Sequence, residues 1–154
     1  MFALSSLVIA MSLPPPVMTL TGDSLQIKTA RRTAIRNDVD WLTHWAEHTG
    51  QSWSLHDSRT GAEAHIALKA PMIDFSRYVA VLVYAGPKKG IAGIGVERIE
   101  DEGKQIVLVI QAIPGRSPSK EAHPFGIFVI PKTEKSIVVR EVVGVGSANL
   151  LDGD

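Results

Sequence analysis

The chain has 154 residues, with 16 basic and 16 acidic side chains and no cysteine. This length suits one domain, which can bury roughly 70% of its unfolded surface and fold without disulfide bonds or a structural metal. The balanced charge speaks against nucleic-acid binding, which normally needs a basic excess or a basic face, and the lack of cysteine excludes thiolate metal ligands and a cysteine nucleophile.

The N-terminal segment, residues 1–22, contains no charged side chain. Its apolar run ends at Pro14 and would form a helix only about 20 Å long, too short for the roughly 30 Å hydrocarbon core of a membrane. The length of the run and the small residues Ala10 and Ser12 suit a secretory signal peptide. A signal remnant and a disordered tail both remain open, and both place residues 1–22 outside the fold. We expect no membrane-spanning segment.

The next feature along the chain is a strand followed by a helix. Apolar and polar residues alternate over residues 24–30, which predicts a half-buried strand. A helix is predicted over Asp38–Thr49, because Asn37 or Asp38 can cap its start and Gly50 is a typical helix end. Apolar residues recur at helical spacing on one face of this helix, namely Val39, Leu42, Trp45 and Ala46.

The rest of the chain has the pattern of strands. The run at residues 78–84 is almost continuously β-branched or aromatic, as expected of a central strand covered on both faces. Residues 101–103 end in glycine and separate two strand-like runs, which predicts a hairpin. The predicted strands are residues 64–68, 78–84, 91–100, 104–113, 125–130 and 136–143.

These elements predict an α+β domain over residues 23–146, followed by a tail at residues 147–154. One helix would pack on a curled antiparallel sheet of about six strands, connected in meander order.

The predicted helix contains an H-x-x-E-H pattern formed by His44, Glu47 and His48. Two imidazoles at i and i+4 share one helical face, and the glutamate could activate a metal-bound water. A third ligand would be needed, however, and no second predicted helix presents one. The polar face of an ordinary amphipathic helix explains the same three residues. We expect such a solvated face and no metal, and a zinc-dependent hydrolase stays the alternative.

Other catalytic patterns are weak. A Ser-His-Asp set could be assembled from His65, Asp74 or His123 with several serines, but the sequence has no G-x-S-x-G elbow. Acidic residues 100–102 lie in the predicted hairpin turn, where they would be solvated and would lack the burial that tunes a catalytic acid. We therefore expect a protein that is not an enzyme and that needs no cofactor.

Several segments, in order along the chain, resemble the PrcB-like domain family, named for a subunit that stabilises a secreted protease complex. The segments include a helix with a W-x-x-x-W face, a P-x-x-D-F-S turn, a long apolar strand that ends in glycine, a central hairpin and a closing strand. They are residues 38–48, 71–76, 78–86, 94–99 with 105–110, and 123–125 with 129–132. The family's tyrosine-containing turn after the long strand is replaced here by residues 89–94.

The resemblance implies an extracytoplasmic accessory domain that binds or stabilises a partner protein, such as a secreted protease, and it implies no catalytic residue. Loops that join rigid strands are where binding residues tend to lie. The expected partner-binding residues are therefore Asp74, Phe75, Lys88, Lys89 and Arg116. A self-associating structural domain is a further alternative.

Overall fold

The computed structural model describes residues 9–53, 61–142 and 150–151. In chain order these residues form β1 (Met11–Leu13), β2 (Met18–Asp23), β3 (Ala30–Ile35), α1 (Asp38–Thr49), α2 (Ala62–Leu68), β4 (Tyr78–Ala85), β5 (Lys88–Lys89), β6 (Ile91–Asp101), β7 (Gln105–Pro114), β8 (Glu121–Ala122), β9 (Pro124–Pro131) and β10 (Ser136–Glu141).

The strands form three sheets. The first sheet has the order β1-β6-β7-β10, the second has the order β2-β9-β4-β3, and a small sheet pairs β5 with β8. Strands hold 48% of the described residues and helices hold 15%. The expected α+β fold, with one helix on a single curled antiparallel sheet of about six strands, is therefore wrong. The domain is mostly β, with two helices and sheets of four, four and two strands.

The second sheet lies between the first sheet and the helices, and β4 shows this most clearly. Val79, Val81 and Val83 belong to a core shared with β6 and β7 of the first sheet. The alternate β4 residues, including Leu82 and Tyr84, pack in another core with Trp41 of α1. Because successive side chains of a strand point to opposite faces, both faces of β4 are buried, which confirms the prediction of a central strand.

Helix α1 begins and ends where its local sequence predicts. The Asn37 side chain accepts a hydrogen bond from the Asp40 amide at 2.9 Å, and Gly50 ends the helix with a φ of 71°. Trp41 is fully buried and its indole Nε1 donates to the Pro71 carbonyl oxygen at 2.9 Å. The buried face of α1 therefore anchors both the second sheet and the chain that leads into β4.

Helix α2 replaces the strand predicted at residues 64–68. Ala64 and Leu68, one helical turn apart, pack against Leu42 and Ala46 of α1. A short apolar run suits either a strand or a buried helix, and alanine is the strongest helix former, so the contact with α1 decides the outcome.

The N-terminal segment and the tail also differ from expectation. β1 pairs antiparallel with β6 and β2 pairs antiparallel with β9, so placing residues 1–22 outside the fold is wrong for residues 11–13 and 18–22. Residues 1–8 lie outside the described residues. Leu150, assigned to the tail, is 1% exposed and packs in the core between the main sheets.

Two strand assignments change because of pairing. Residues 24–29 form no strand: the Ser24 hydroxyl oxygen accepts from the Ile27 amide at 3.0 Å, and pairing with β4 starts at Ala30. β10 pairs parallel with β7, so the strands do not follow a meander. The chain enters the second sheet as β9 before it returns to the first sheet, which is the kind of crossover that parallel pairing requires. Residue 143 of the predicted last strand is outside the described residues.

The predicted hairpin is confirmed as β6 and β7, which pair antiparallel. Neither helix in the described part of the chain is long and apolar enough to cross a membrane.

Candidate functional site

The small sheet brings together two loops that are distant in sequence. β5 follows the end of β4, β8 precedes β9, and they pair with Lys88 opposite Ala122 and Lys89 opposite Glu121. The Gly90 amide donates to the Lys120 carbonyl oxygen at 3.0 Å. The turn after β4 and the loop after β7 are therefore held as one surface.

These loops enclose a cleft of about 360 Å³, which we name the basic cleft. Its lining residues are Asp23, Gly90, Ile91, Ala92, Gly115, Arg116, Ser117, Lys120 and Ala122. Ile91 and Ala122 are buried and give it an apolar floor, whereas Arg116, Ser117 and Lys120 are exposed along its wall. The cleft thus combines cationic side chains with a small apolar surface.

Two glycines give the basic cleft its shape. The Gly115 amide donates to the Gly90 carbonyl oxygen at 2.8 Å, so the two loops approach through their backbones. Gly90 has a φ of +72°, and a Cβ at this position would lie 3.0 Å from the Pro118 carbonyl oxygen. Both the backbone conformation and the close approach favour glycine at residue 90.

The charge at this end of the molecule is predominantly positive. Arg116 and Lys120 form no ion pair within residues 9–53, 61–142 and 150–151. Asp23, the acidic residue among the described lining residues, already accepts a hydrogen bond from the His123 amide at 2.7 Å. The exposed guanidinium and ammonium groups can therefore donate hydrogen bonds to an anionic group in the cleft.

The five expected partner-binding residues divide between two ends of β4. Lys88, Lys89 and Arg116 lie on the loops joined by the small sheet. Asp74 and Phe75 lie in the turn before β4 begins, so they do not join this surface. The reason is chain direction, because the eight residues of β4 separate its two flanking loops.

The turn at Asp74 has a clear structural role. Its carboxylate Oδ1 accepts hydrogen bonds from the Ser76 amide at 3.0 Å and the Ser76 hydroxyl at 2.5 Å. These bonds lower the pKa of the exposed Asp74 carboxyl. Phe75 is half-buried against the core beneath α1. Both residues stabilise the entry to β4.

The H-x-x-E-H residues lie on α1 but face different neighbours. Both guanidinium amino groups of Arg31 donate to the Glu47 carboxylate, at 3.2 and 2.9 Å. The His48 ring packs edge-on against the Phe125 ring with centroids 4.5 Å apart, and its Nδ1 lies 3.3 Å from the Tyr84 hydroxyl oxygen. No group of three or more His, Cys, Asp or Glu among the described residues is arranged to hold a metal ion.

Burial affects the titration of this part of α1. It lowers the pKa of both His44 and His48, and the Arg31 charge lowers the pKa of His44 further. Burial also raises the pKa of the Tyr84 hydroxyl. Glu47 is held by Arg31 and His48 by aromatic rings, so the geometry favours packing of α1 on the second sheet.

Sequence reasoning missed a polar contact at His65. This histidine is 5% exposed, and its Nε2 lies 2.7 Å from the Asp38 carboxylate, while its Nδ1 lies 3.3 Å from the Ala70 carbonyl oxygen. Both ring nitrogens are thus engaged, which leaves neither free to activate a serine. The contact joins the start of α1 to α2. No local sequence pattern predicts it, because His65 and Asp38 are far apart in sequence.

No family model matches this chain, and comparisons with curated proteins and with solved structures found no significant match. The resemblance to the PrcB-like family stays a prediction, and function has to be argued from the residues.

Proposed function

We propose that this chain is a non-catalytic accessory domain that binds a partner protein through the basic cleft. The bound element would be an extended acidic segment of the partner. The observation that carries this proposal is the small sheet of β5 and β8, which joins two loops into one cationic, partly apolar surface.

The chemistry of the cleft supports an acidic peptide. Arg116 presents a planar guanidinium that can pair with a carboxylate through two parallel hydrogen bonds, and Lys120 adds a second cation on the same wall. The exposed Ala92, beside the buried Ile91 and Ala122, offers contact area for a small apolar side chain between the acidic residues. Such a segment would match the cleft in charge and polarity.

The resemblance to the PrcB-like family adds a more specific expectation about the partner. It favours an exported protease, with this chain acting outside the cytoplasm as a stabilising subunit. This part of the proposal concerns only the identity of the partner, whereas the acidic recognition element follows from the basic cleft.

The proposal can be tested with a fluorescent peptide of alternating glutamate and valine. We expect it to bind the intact chain, and to bind an Arg116→Glu/Lys120→Glu variant on the order of tenfold more weakly, because two attractive charges become repulsive. Binding should also weaken as salt rises. A peptide in which lysine replaces glutamate should not bind.

A matched control is Arg32→Glu/Lys104→Glu, which makes the same change in net charge at exposed residues outside the basic cleft. Equal loss of binding in both double variants would show that only total charge matters and would contradict the proposal. Affinity capture from exported fractions, with the intact chain and both variants in parallel, then tests the partner. A protease recovered with the intact chain and the control, but lost with the cleft variant, is the expected result.

A further inference from the structure

A second cleft lies at the other end of the main sheets from the basic cleft. The basic cleft contains Ile91, at the start of β6, whereas the second cleft contains Ile99 and Asp101, at the end of that strand. The second cleft has a volume of about 220 Å³, and we name it the apolar cleft. Its lining combines aliphatic side chains of β1, β6, β7 and β9 with the charged side chains of Asp101, Lys132 and Lys135.

The walls of the apolar cleft belong to the core between the two main sheets. Ile99, Ile106 and Ile130 are 2%, 5% and 2% exposed, and each comes from a different strand. Leu13 of β1 packs against the same core and closes one side. Contact with these branched aliphatic side chains favours a ligand with a compact hydrocarbon body.

Polar groups lie together on the lining of the apolar cleft. The Lys135 ammonium donates to both oxygens of the Asp101 carboxylate, at 2.7 and 2.6 Å. The Gly103 amide also donates to Asp101 at 2.8 Å, so this carboxylate is already well supplied with donors. The third N–H of Lys135, the Lys132 ammonium and the Thr133 hydroxyl can still donate.

The charged side chains on the lining determine which head group of a ligand would bind best. Lys132 and Lys135 contribute two positive charges and Asp101 one negative charge, so the lining carries a net positive charge. A carboxylate would neutralise this excess and accept the remaining hydrogen bonds. An amine would add a like charge beside two ammonium groups, while Asp101, the carboxylate among the described lining residues, is engaged by Lys135.

We propose that the apolar cleft binds a small aliphatic carboxylate, with its hydrocarbon chain among Ile99, Ile106 and Ile130 and its carboxylate near Lys132 and Lys135. The volume is sufficient, because an apolar cavity of about 150 Å³ can take up benzene. This site is separate from the basic cleft, so either proposal can fail without the other.

The first test compares hexanoate, hexanol and hexylamine, which share a six-carbon body and differ in the head group. Amide NMR spectra of the full chain should show saturable shifts with hexanoate at residues that line the apolar cleft. Hexanol should bind on the order of tenfold more weakly, since it lacks the charge, and hexylamine more weakly still. Equal binding of all three, a preference for hexylamine, or no saturable shift at the cleft would overturn the proposal.

The second test uses variants of the lining. Lys135→Met should reduce hexanoate affinity at least tenfold and leave hexanol affinity nearly unchanged, whereas Lys28→Met, at an exposed residue outside both clefts, should change neither. Leu13→Trp should block both ligands by filling the cleft. Lys132→Met, at an exposed residue, provides a second head-group variant if Lys135→Met or Leu13→Trp does not fold. Unchanged hexanoate binding in the folded lysine variants would contradict the assigned head-group site.

Discussion

The Thr21 hydroxyl oxygen accepts a hydrogen bond from the Ile94 amide at 2.9 Å, which joins β2 of the second sheet to β6 of the first. The same hydroxyl donates to the Phe125 carbonyl oxygen of β9 at 3.0 Å. Ile94 is fully buried, so its amide has little access to water. One side chain therefore connects three strands at the corner where the two main sheets meet.

We expect Thr21→Val to lower the free energy of unfolding by about 1–2 kcal/mol, because it keeps the shape of the side chain but leaves the Ile94 amide without its partner. Urea denaturation followed by circular dichroism would measure the change. Thr19→Val is the matched control, since Thr19 lies on the same strand and the same face. A loss of similar size in the control would show that the hydroxyl bond is not the cause.

The close approach of β6 to Thr21 also explains why residue 93 is a glycine. A Cβ at Gly93 would lie 2.3 Å from the Thr21 hydroxyl oxygen, whereas a Cβ at Gly95 meets nothing closer than 3.7 Å. We expect Gly93→Ala to destabilise the fold by about 1–3 kcal/mol and Gly95→Ala to be neutral or slightly stabilising. Denaturation midpoints of the two variants test this difference, and similar midpoints would contradict the assigned contact.

Substitutions at a second pair of glycines distinguish destabilisation by backbone strain from destabilisation by crowding. Gly90 and Gly103 both have positive φ, but a Cβ at Gly90 would contact Pro118, while a Cβ at Gly103 meets nothing within 4 Å. Gly103→Ala should cost about 1–2 kcal/mol from the conformation alone. Gly90→Ala should cost more and should also weaken binding of the acidic peptide, because the loop with Pro118 must move. Peptide binding that survives Gly90→Ala unchanged would argue against the shape assigned to the basic cleft.

The lowered pKa of His48 and His44 predicts a pH dependence of stability. From the ordinary pKa of 6.5 downward, the unfolded chain binds protons more readily than the folded chain, so stability is lost as the pH falls toward the lowered folded pKa. Above that ordinary value the histidine contribution is fully present. We expect the free energy of unfolding to fall as the pH drops below 6.5, and His48→Gln to flatten this slope.

Three carboxyl groups have lowered pKa values and affect the pH dependence of stability at more acidic pH than the histidines do. Hydrogen bonds lower the pKa of Asp74, Asp101 and Glu102, so the contribution of these carboxylates to stability is lost only as the pH falls below the ordinary carboxyl range.

His123→Gln is the control for His48→Gln, because it removes a histidine elsewhere in the chain. Urea titrations at several pH values measure each slope, and a His48→Gln slope equal to that of the intact chain would contradict the prediction.

Sequence signals correctly predicted the elements whose start and end depend on a few neighbouring residues. Asn37 and Gly50 marked α1, and residues 101–103 marked the turn of the β6–β7 hairpin, because capping and tight turns depend on a few neighbouring residues. The apolar run of β4 indicated burial on both faces. The same reasoning failed at residues 64–68, where packing against α1 selects a helix.

The basic cleft, which is the proposed binding site, was predictable only in part. Lys88, Lys89 and Arg116 could be assigned to loops from their glycine- and proline-rich surroundings, but their proximity follows from the pairing of β5 with β8. Asp74 satisfied the same sequence criteria and lies in the turn at the other end of β4. The apolar cleft had no sequence signal, because its lining comes from segments far apart in the chain.

The sequence by itself determined helix α1, the central position of β4, the hairpin and the absence of any thiol chemistry, since these depend on local spacing or on composition. Only the tertiary structure decided that β1 and β2 join the two main sheets, that β10 runs parallel to β7, and that two clefts lie at opposite ends. The physical reason is that a strand forms its ladder hydrogen bonds with other strands and none within itself, and residue pattern alone does not identify those partners.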